Sequence, residues 1–226
     1  MSFLLVPGAG GDPWYFHRLL PLLRETGADA VAVDLPGPDP DVGLAAYADL
    51  IAAAGRGLAD VTLVAQSMAG FCAPLAADRL DVAQLVLLNA MVPRPGETAG
   101  AWWEAVGCDG PGPDFDVEQT FFHDVPADLT REAFSRGERD EAEIAFAEPW
   151  PLPAWPDVAT TVLSGAEDRL FPLPLQQRVS RDRLGLEPLV VPGGHLAALS
   201  RPEELATVLR HLGSGHAGAG RLSDIF

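Results

Sequence analysis

The chain has 226 residues, with 15 Lys+Arg against 32 Asp+Glu, for a formal net charge of −17. An acidic surface of that strength repels nucleic-acid phosphates and anionic membranes. All fifteen cations are Arg, so chemistry that needs a lysine (a Schiff base, a phosphate-loop lysine, a lysine acid or base) is excluded.

With 48% hydrophobic and 21% charged residues, the chain reads as one globular domain with a large core and room for one insertion. Phe3 to Val6 predicts a buried strand, followed by the turn Pro7-Gly8-Ala9-Gly10-Gly11. Trp14 to Arg24 predicts a helix with Leu19, Leu20, Leu22 and Leu23 on its apolar side, despite Pro21. Ala30 to Val33 is a second strand, and Leu44 to Leu58 an Ala-rich helix. Val61 to Ala65 is a third strand, Met68 to Leu80 a helix, and Leu85 to Leu88 a fourth strand. After a long interval come a strand at Thr161 to Leu163, a helix around Leu173 to Arg183, a strand at Leu189 to Val191 and a helix from Pro202 to Leu212. Short, wholly apolar strands joined mostly by helices predict an α/β fold, with about six mostly parallel strands covered on both faces.

Residues 93–156 break the alternation. They are rich in Pro and acids and hold Trp102, Trp103, Trp150 and Trp155, four of the five tryptophans. A segment of that length between two strands predicts a small helical cap. Its aromatics read either as the cap's own core or as an apolar wall of the site. The expected organisation is a core of 1–92 and 157–212, a cap of 93–156 and a flexible, Gly-rich tail of 213–226. The N-terminal apolar run lacks a basic flank, and no run reaches the ~18 apolar residues of a membrane helix, so a cytoplasmic protein is expected. Cys72 and Cys108 form no CxxC pair and read as small buried hydrophobes. His17, His123, His195, His211 and His216 show no metal-ligand spacing, so neither metal nor cofactor is expected.

Chemistry concentrates at three strand ends. In Val64-Ala65-Gln66-Ser67-Met68-Ala69-Gly70, a strand runs straight into Ser67. A serine in such a turn projects its hydroxyl above the sheet edge, beside helix N-terminal N–H groups. The usual motif is G-x-S-x-G; here Ala65 and Ala69 replace both glycines, and the serine alone reads equally as a helix N-cap. Asp168 lies just past the fifth strand and His195 just past the sixth, in Pro192-Gly193-Gly194-His195. Singly, Asp168 could pair with Arg169 or Arg201, and His195 could be structural. Together, strand ends in the order Ser67, Asp168, His195 point to a catalytic triad at the ligand-binding edge of a parallel sheet. The backbone N–H groups of Ala9 and Met68 are the candidate oxyanion hole. Trp14, Trp102 and His123 are candidate substrate-binding residues, and His123 reads alternatively as a cap-surface histidine capped by Asp124.

These segments, with Val33-Asp34-Leu35-Pro36-Gly37, resemble the α/β-hydrolase superfamily along nearly the whole chain. Val6 to Trp14, read with Ser67-Met68-Ala69-Gly70 and the run His195 to Leu205, is most similar to the compact branch of plant methyl esterases and hydroxynitrile lyases. Pro7-Gly8 stands where that branch has His-Gly, and the lysine of its lysine-dependent lyases is absent. The resemblance implies a serine hydrolase acting on a small-molecule ester. The negative field favours a neutral one. The alternatives are a lyase or C–C bond hydrolase using the same triad, or a binding protein on a hydrolase scaffold. A homodimer is left open.

Overall fold

The computed structural model describes residues 1–112, 114–137 and 139–214. The expected flexible tail therefore lies, from residue 215 on, outside the described residues, as does His216.

Six strands form one sheet: β1 (Ser2–Val6), β2 (Asp29–Ala32), β3 (Val61–Gln66), β4 (Val82–Leu88), β5 (Thr160–Gly165) and β6 (Leu189–Val191). Their order is β2-β1-β3-β4-β5-β6, and every neighbouring pair is parallel. Both faces are buried, as the unbroken apolar runs require. Leu4, Val6, Leu63 and Leu87 point to one side, and Phe3, Leu5, Val64 and Leu88 to the other. Burying each such side chain contributes about 1.5–3 kcal/mol.

The helices cover these faces. Between β1 and β2 lies α1 (Leu19–Arg24), and between β2 and β3 lies α2 (Leu44–Ala54). α2 buries Leu44, Tyr47, Ala48 and Ile51, the i, i+3, i+4, i+7 stripe of an amphipathic helix. Four short helices occupy the β4–β5 connection: α3 (Ala99–Ala105), α4 (Val117–Phe121), α5 (Ala127–Arg136) and α6 (Glu143–Ala147). The chain then forms α7 (Leu173–Leu184), α8 (Ala197–Ser200) and α9 (Pro202–Gly213). α9 packs on α1, with Glu203 and Glu204 in its first turn and Arg210 and His211 in its last, as the helix dipole favours.

The β4–β5 insertion has a paired neck. Thr98 and Pro149 form an isolated antiparallel bridge, the Trp150 N–H donates to Glu97 O (2.9 Å), and the Gly96 N–H donates to Trp150 O (3.0 Å). Arg183 on α7 clamps the same point through a buried ion pair with Glu97.

Two predicted helices are broken. Within 14–24 there is a 3-10 turn, Pro13–Phe16, and then α1. Pro21 has no N–H to offer the His17 carbonyl, so one α-helical ladder cannot cross that point. Within 68–80 there are two 3-10 segments, Ser67–Gly70 and Ala73–Arg79, and Pro74 leaves the Gly70 carbonyl unserved in the same way. Among the described residues no helix is long and apolar enough to cross a membrane, and no cluster of three His, Cys, Asp or Glu side chains could hold a metal ion.

Candidate active site

The sheet order reverses at β1. The chain passes from β1 to β2 on one side and returns to β3 on the other. In a parallel sheet the crevice beyond such a switch point receives ligands. The Gly8–Gly11 turn leaves β1 there and Ser67 leaves β3, with Val6 paired to Ala65. The approach is close: a Cβ on Gly8 would stand 2.8 Å from the Ser67 Cβ.

Ser67 has φ of 54°, the left-handed region that a β-substituted residue seldom occupies. Such strain persists only where neighbours enforce it. Here the Met91 N–H donates to Ser67 O (3.0 Å), and the turn continues at once into its 3-10 segment. Ala65 and Ala69, on either side of Ser67, are both buried. The glycine the turn depends on is Gly70, where a Cβ would lie 1.8 Å from Met91 O.

Asp168 and His195 meet in a solvent-free pair, with His195 Nδ1 2.8 Å from Asp168 Oδ2 and side-chain exposures of 1% and 0%. The other carboxylate oxygen, Oδ1, accepts the N–H groups of Leu170 (2.8 Å) and Phe171 (2.9 Å). With Nδ1 donating to the carboxylate, His195 Nε2 is the basic nitrogen. It is buried and has no hydrogen-bond partner among the described residues. The edges of Phe121 and Phe171 flank the imidazole, each with ring centroids 5.2 Å away. Glu167, next to Asp168, is exposed.

Two buried amides join the loops. Asn89, at the end of β4, accepts the Gly165 N–H (2.6 Å) and donates through Nδ2 to Gly194 O (3.0 Å) and His195 O (3.2 Å). Gln66 accepts the Gly8 N–H (3.0 Å) and approaches His195 O through Nε2 (3.4 Å). Neither was singled out from the sequence. The available signal was a polar residue closing an otherwise apolar strand.

Ser67 and His195 line one cavity of about 350 Å³ with Gly8, Ala9 and Gln66. Val117, Phe121, Phe122, Phe134 and Phe146 of the insertion supply apolar wall, together with Tyr15 and Leu196. Arg139, Asp140 and Glu141 form a polar corner. Glu141 accepts the Gly10 N–H (2.8 Å) and the Tyr47 hydroxyl. Burial raises the Glu141 carboxyl above its ordinary value, and burial with this hydrogen bond raises the Tyr47 phenol. Gly10 has φ of 81°, and a Cβ there would meet Arg139 O at 2.1 Å, so the glycine turn and the insertion require each other's shape.

The structure thus brings Ser67, Asp168 and His195 to one edge, with Ala9 in the same cavity and Met68 directly after Ser67. It does not bring the three proposed substrate contacts to the cavity wall. Trp14 stacks on His17 (4.7 Å) beneath the Arg136 guanidinium and lines a small crevice that adjoins the cavity and shares Ala9, Tyr15 and Arg139 with it, while its neighbour Tyr15 faces the cavity itself. Trp102 is a core residue: its Nε1–H donates to Val92 O (3.1 Å) and its ring packs on Phe171 (5.1 Å). His123 is buried against Gly194, neither in the cavity nor on the surface. Cys72 is buried, which pushes its thiol up to about 12, and neither cysteine lines the cavity.

Among solved structures the chain is similar to polyneuridine aldehyde esterase, with a TM-score of 0.77 and 19% identity over 93% of this chain and 98% of that one. It is similar to a methylesterase from Arabidopsis (0.76, 22%, 95% and 99%) and to a pyrethroid hydrolase from Sphingobium faniae JZ-2 (0.75, 20%, 96% and 98%). At such identities the likeness is one of fold. No curated protein matches the chain. A family model described as the alpha/beta hydrolase family matches residues 3–208. With the strand order and the strand-end residues already described, that match establishes that the chain belongs to the alpha/beta hydrolase family.

Proposed function

We propose that this hydrolase cleaves a small, neutral, largely apolar ester through Ser67, His195 and Asp168. The observation that carries the reading is the buried His195–Asp168 pair, whose partnerless Nε2 belongs to a ring lining the same cavity as the strained Ser67 turn. His195 Nε2 takes the Ser67 hydroxyl proton as the oxygen attacks the ester carbonyl. Asp168 holds the imidazole orientation and stabilises the imidazolium. The Ala9 and Met68 N–H groups receive the oxyanion, a contribution of about 10²–10³ in rate per donor. The imidazolium then protonates the departing alcohol. Water deprotonated by His195 attacks the acyl-enzyme, which releases the acid and frees Ser67. No metal or cofactor takes part.

The apolar walls support an apolar substrate, and the net charge of −17 disfavours an anionic one. Two of the similar structures carry esterase names. The test is fluorophosphonate labelling with p-nitrophenyl acetate and butyrate turnover. Wild type should label and turn over, and Ser67→Ala should do neither. Absence of both in wild type rejects the reading. Labelling without turnover of any ester moves the assignment to a lyase or a binding protein.

A further inference from the structure

His195 is only as well placed as the loop that carries it, and that loop is gripped from two sides. From the sheet, Asn89 Nδ2 donates to Gly194 O and His195 O. From the insertion, Asp124 Oδ2 accepts the Gly194 N–H at 2.8 Å. Both polar groups of Gly194 are therefore held by side chains from different parts of the molecule. Asp124 is nearly shut from solvent, with 5% of its side chain exposed. Its second oxygen, Oδ1, is buried without a hydrogen-bond partner among the described residues and lies 3.9 Å from His123 Nε2.

The fit leaves no slack. A Cβ on Gly194 would stand 2.7 Å from His123 Nε2 and 2.8 Å from Asp124 Oδ1. Gly193, with φ of 100°, makes the preceding bend. Two residues before His123, Phe121 sets its ring edge against the His195 imidazole, and Phe122 packs with Leu199 beyond the loop. One short stretch, 121–124, thus touches the histidine loop through the Asp124 carboxylate and the Phe121 ring, and packs Phe122 on the helix that follows it.

We propose that Asp124 is a positioning residue: through the Gly194 N–H it sets where His195 Nε2 stands relative to Ser67. This rests on the serine-hydrolase reading above. Asp124 does not line the cavity, so its effect on substrate is indirect. The Asp168 bond fixes the imidazole orientation but not the backbone that carries it. A misplacement of a reacting group by about 1 Å costs on the order of 10² in rate.

The test uses the full chain and three proteins: wild type, Asp124→Ala and Asp124→Asn. Asp124→Ala should lower kcat for p-nitrophenyl butyrate about 10- to 100-fold while KM stays within about threefold. Asp124→Asn keeps an acceptor for the Gly194 N–H and should recover most of that loss. The low-field proton resonance of His195 Nδ1–H should shift or broaden in Asp124→Ala and match wild type in Asp124→Asn. Equal loss in both variants, or wild-type kcat and an unmoved resonance in Asp124→Ala, overturns the proposal. If wild type neither labels nor hydrolyses esters, the hydrolase reading falls, and the resonance alone decides whether Asp124 positions His195.

Discussion

Asp168 Oδ2 and His195 Nδ1 stand 2.8 Å apart in a site that excludes solvent from both side chains, and the other carboxylate oxygen, Oδ1, is turned to the Leu170 and Phe171 N–H groups. Asp168→Asn replaces an acceptor with an amide donor and reverses the tautomer that His195 must hold. It should reduce kcat by about 10⁴-fold. Glu167→Gln, one residue away and exposed, should stay within about twofold, as surface substitutions do. Esterase assays on the two variants assign the acid; the reverse pattern would move it to Glu167.

Asn89 bonds Gly165, the last residue of β5, to the loop after β6 that carries His195. Asn89→Ala strands the Gly165 N–H and the Gly194 carbonyl where water cannot reach them, and puts Ala at φ of 45°. Buried unsatisfied groups cost about 1–3 kcal/mol each, so a loss on the order of 2–4 kcal/mol is expected. Urea unfolding checks this. Asn89→Asp keeps the acceptor for Gly165 but turns a buried carboxylate toward the Gly194 and His195 carbonyls, so it should lower the urea midpoint as well as kcat.

Glu141 adds a pH dependence. Burial holds its carboxyl above the ordinary 4.5, against the opposing pull of Tyr47, Gly10 and Arg139. Between the unfolded and folded values the native chain keeps a proton that the unfolded chain has released. The stability this proton confers is complete below the unfolded value and is lost as pH rises through the folded one. Glu141→Gln removes the titration. Its urea midpoint, relative to wild type, should therefore improve as pH is raised from about 4.5 into the neutral range. A difference that is flat with pH contradicts the assignment.

Aromatic residues of the insertion divide into wall and core. Phe134 lines the cavity and is 43% exposed, its ring tilted against Phe122 with centroids 5.3 Å apart. Phe134→Ala should raise KM for bulky aryl esters and change stability by only about 0.5 kcal/mol. Trp102→Phe should do the opposite, costing about 1–3 kcal/mol in unfolding free energy and leaving KM unchanged. A KM effect of Trp102→Phe would return it to the substrate site.

The strands were readable because a parallel strand buried on both faces is an uninterrupted apolar run; Leu85 to Leu88 could hardly be anything else. Ser67, Asp168 and His195 were readable because each closely follows such a run, Ser67 directly and the other two after a short turn. What the sequence does not reveal is how the insertion lies on the sheet. Trp102 and Phe134 have the same apolar character, yet one supports Phe171 from within and the other faces the cavity mouth. Asn89 was hidden for a related reason. Its three partners are backbone atoms of Gly165, Gly194 and His195, and backbone atoms leave no mark on composition.

The paired neck of the insertion carries a consequence for how this protein can change. The segment leaves and rejoins the sheet through adjoining points, tied by Thr98–Pro149, Glu97–Trp150 and the Arg183 clamp. A loop whose ends are already joined can be lengthened at small entropic cost, about 0.6 kcal/mol for each doubling. Residues between the two ends of the neck are therefore free to drift as a cassette, and selectivity can evolve there while the sheet keeps the reacting groups in place. Asp124 and Glu141 limit that freedom: any replacement cassette must return acceptors to the Gly194 and Gly10 N–H groups.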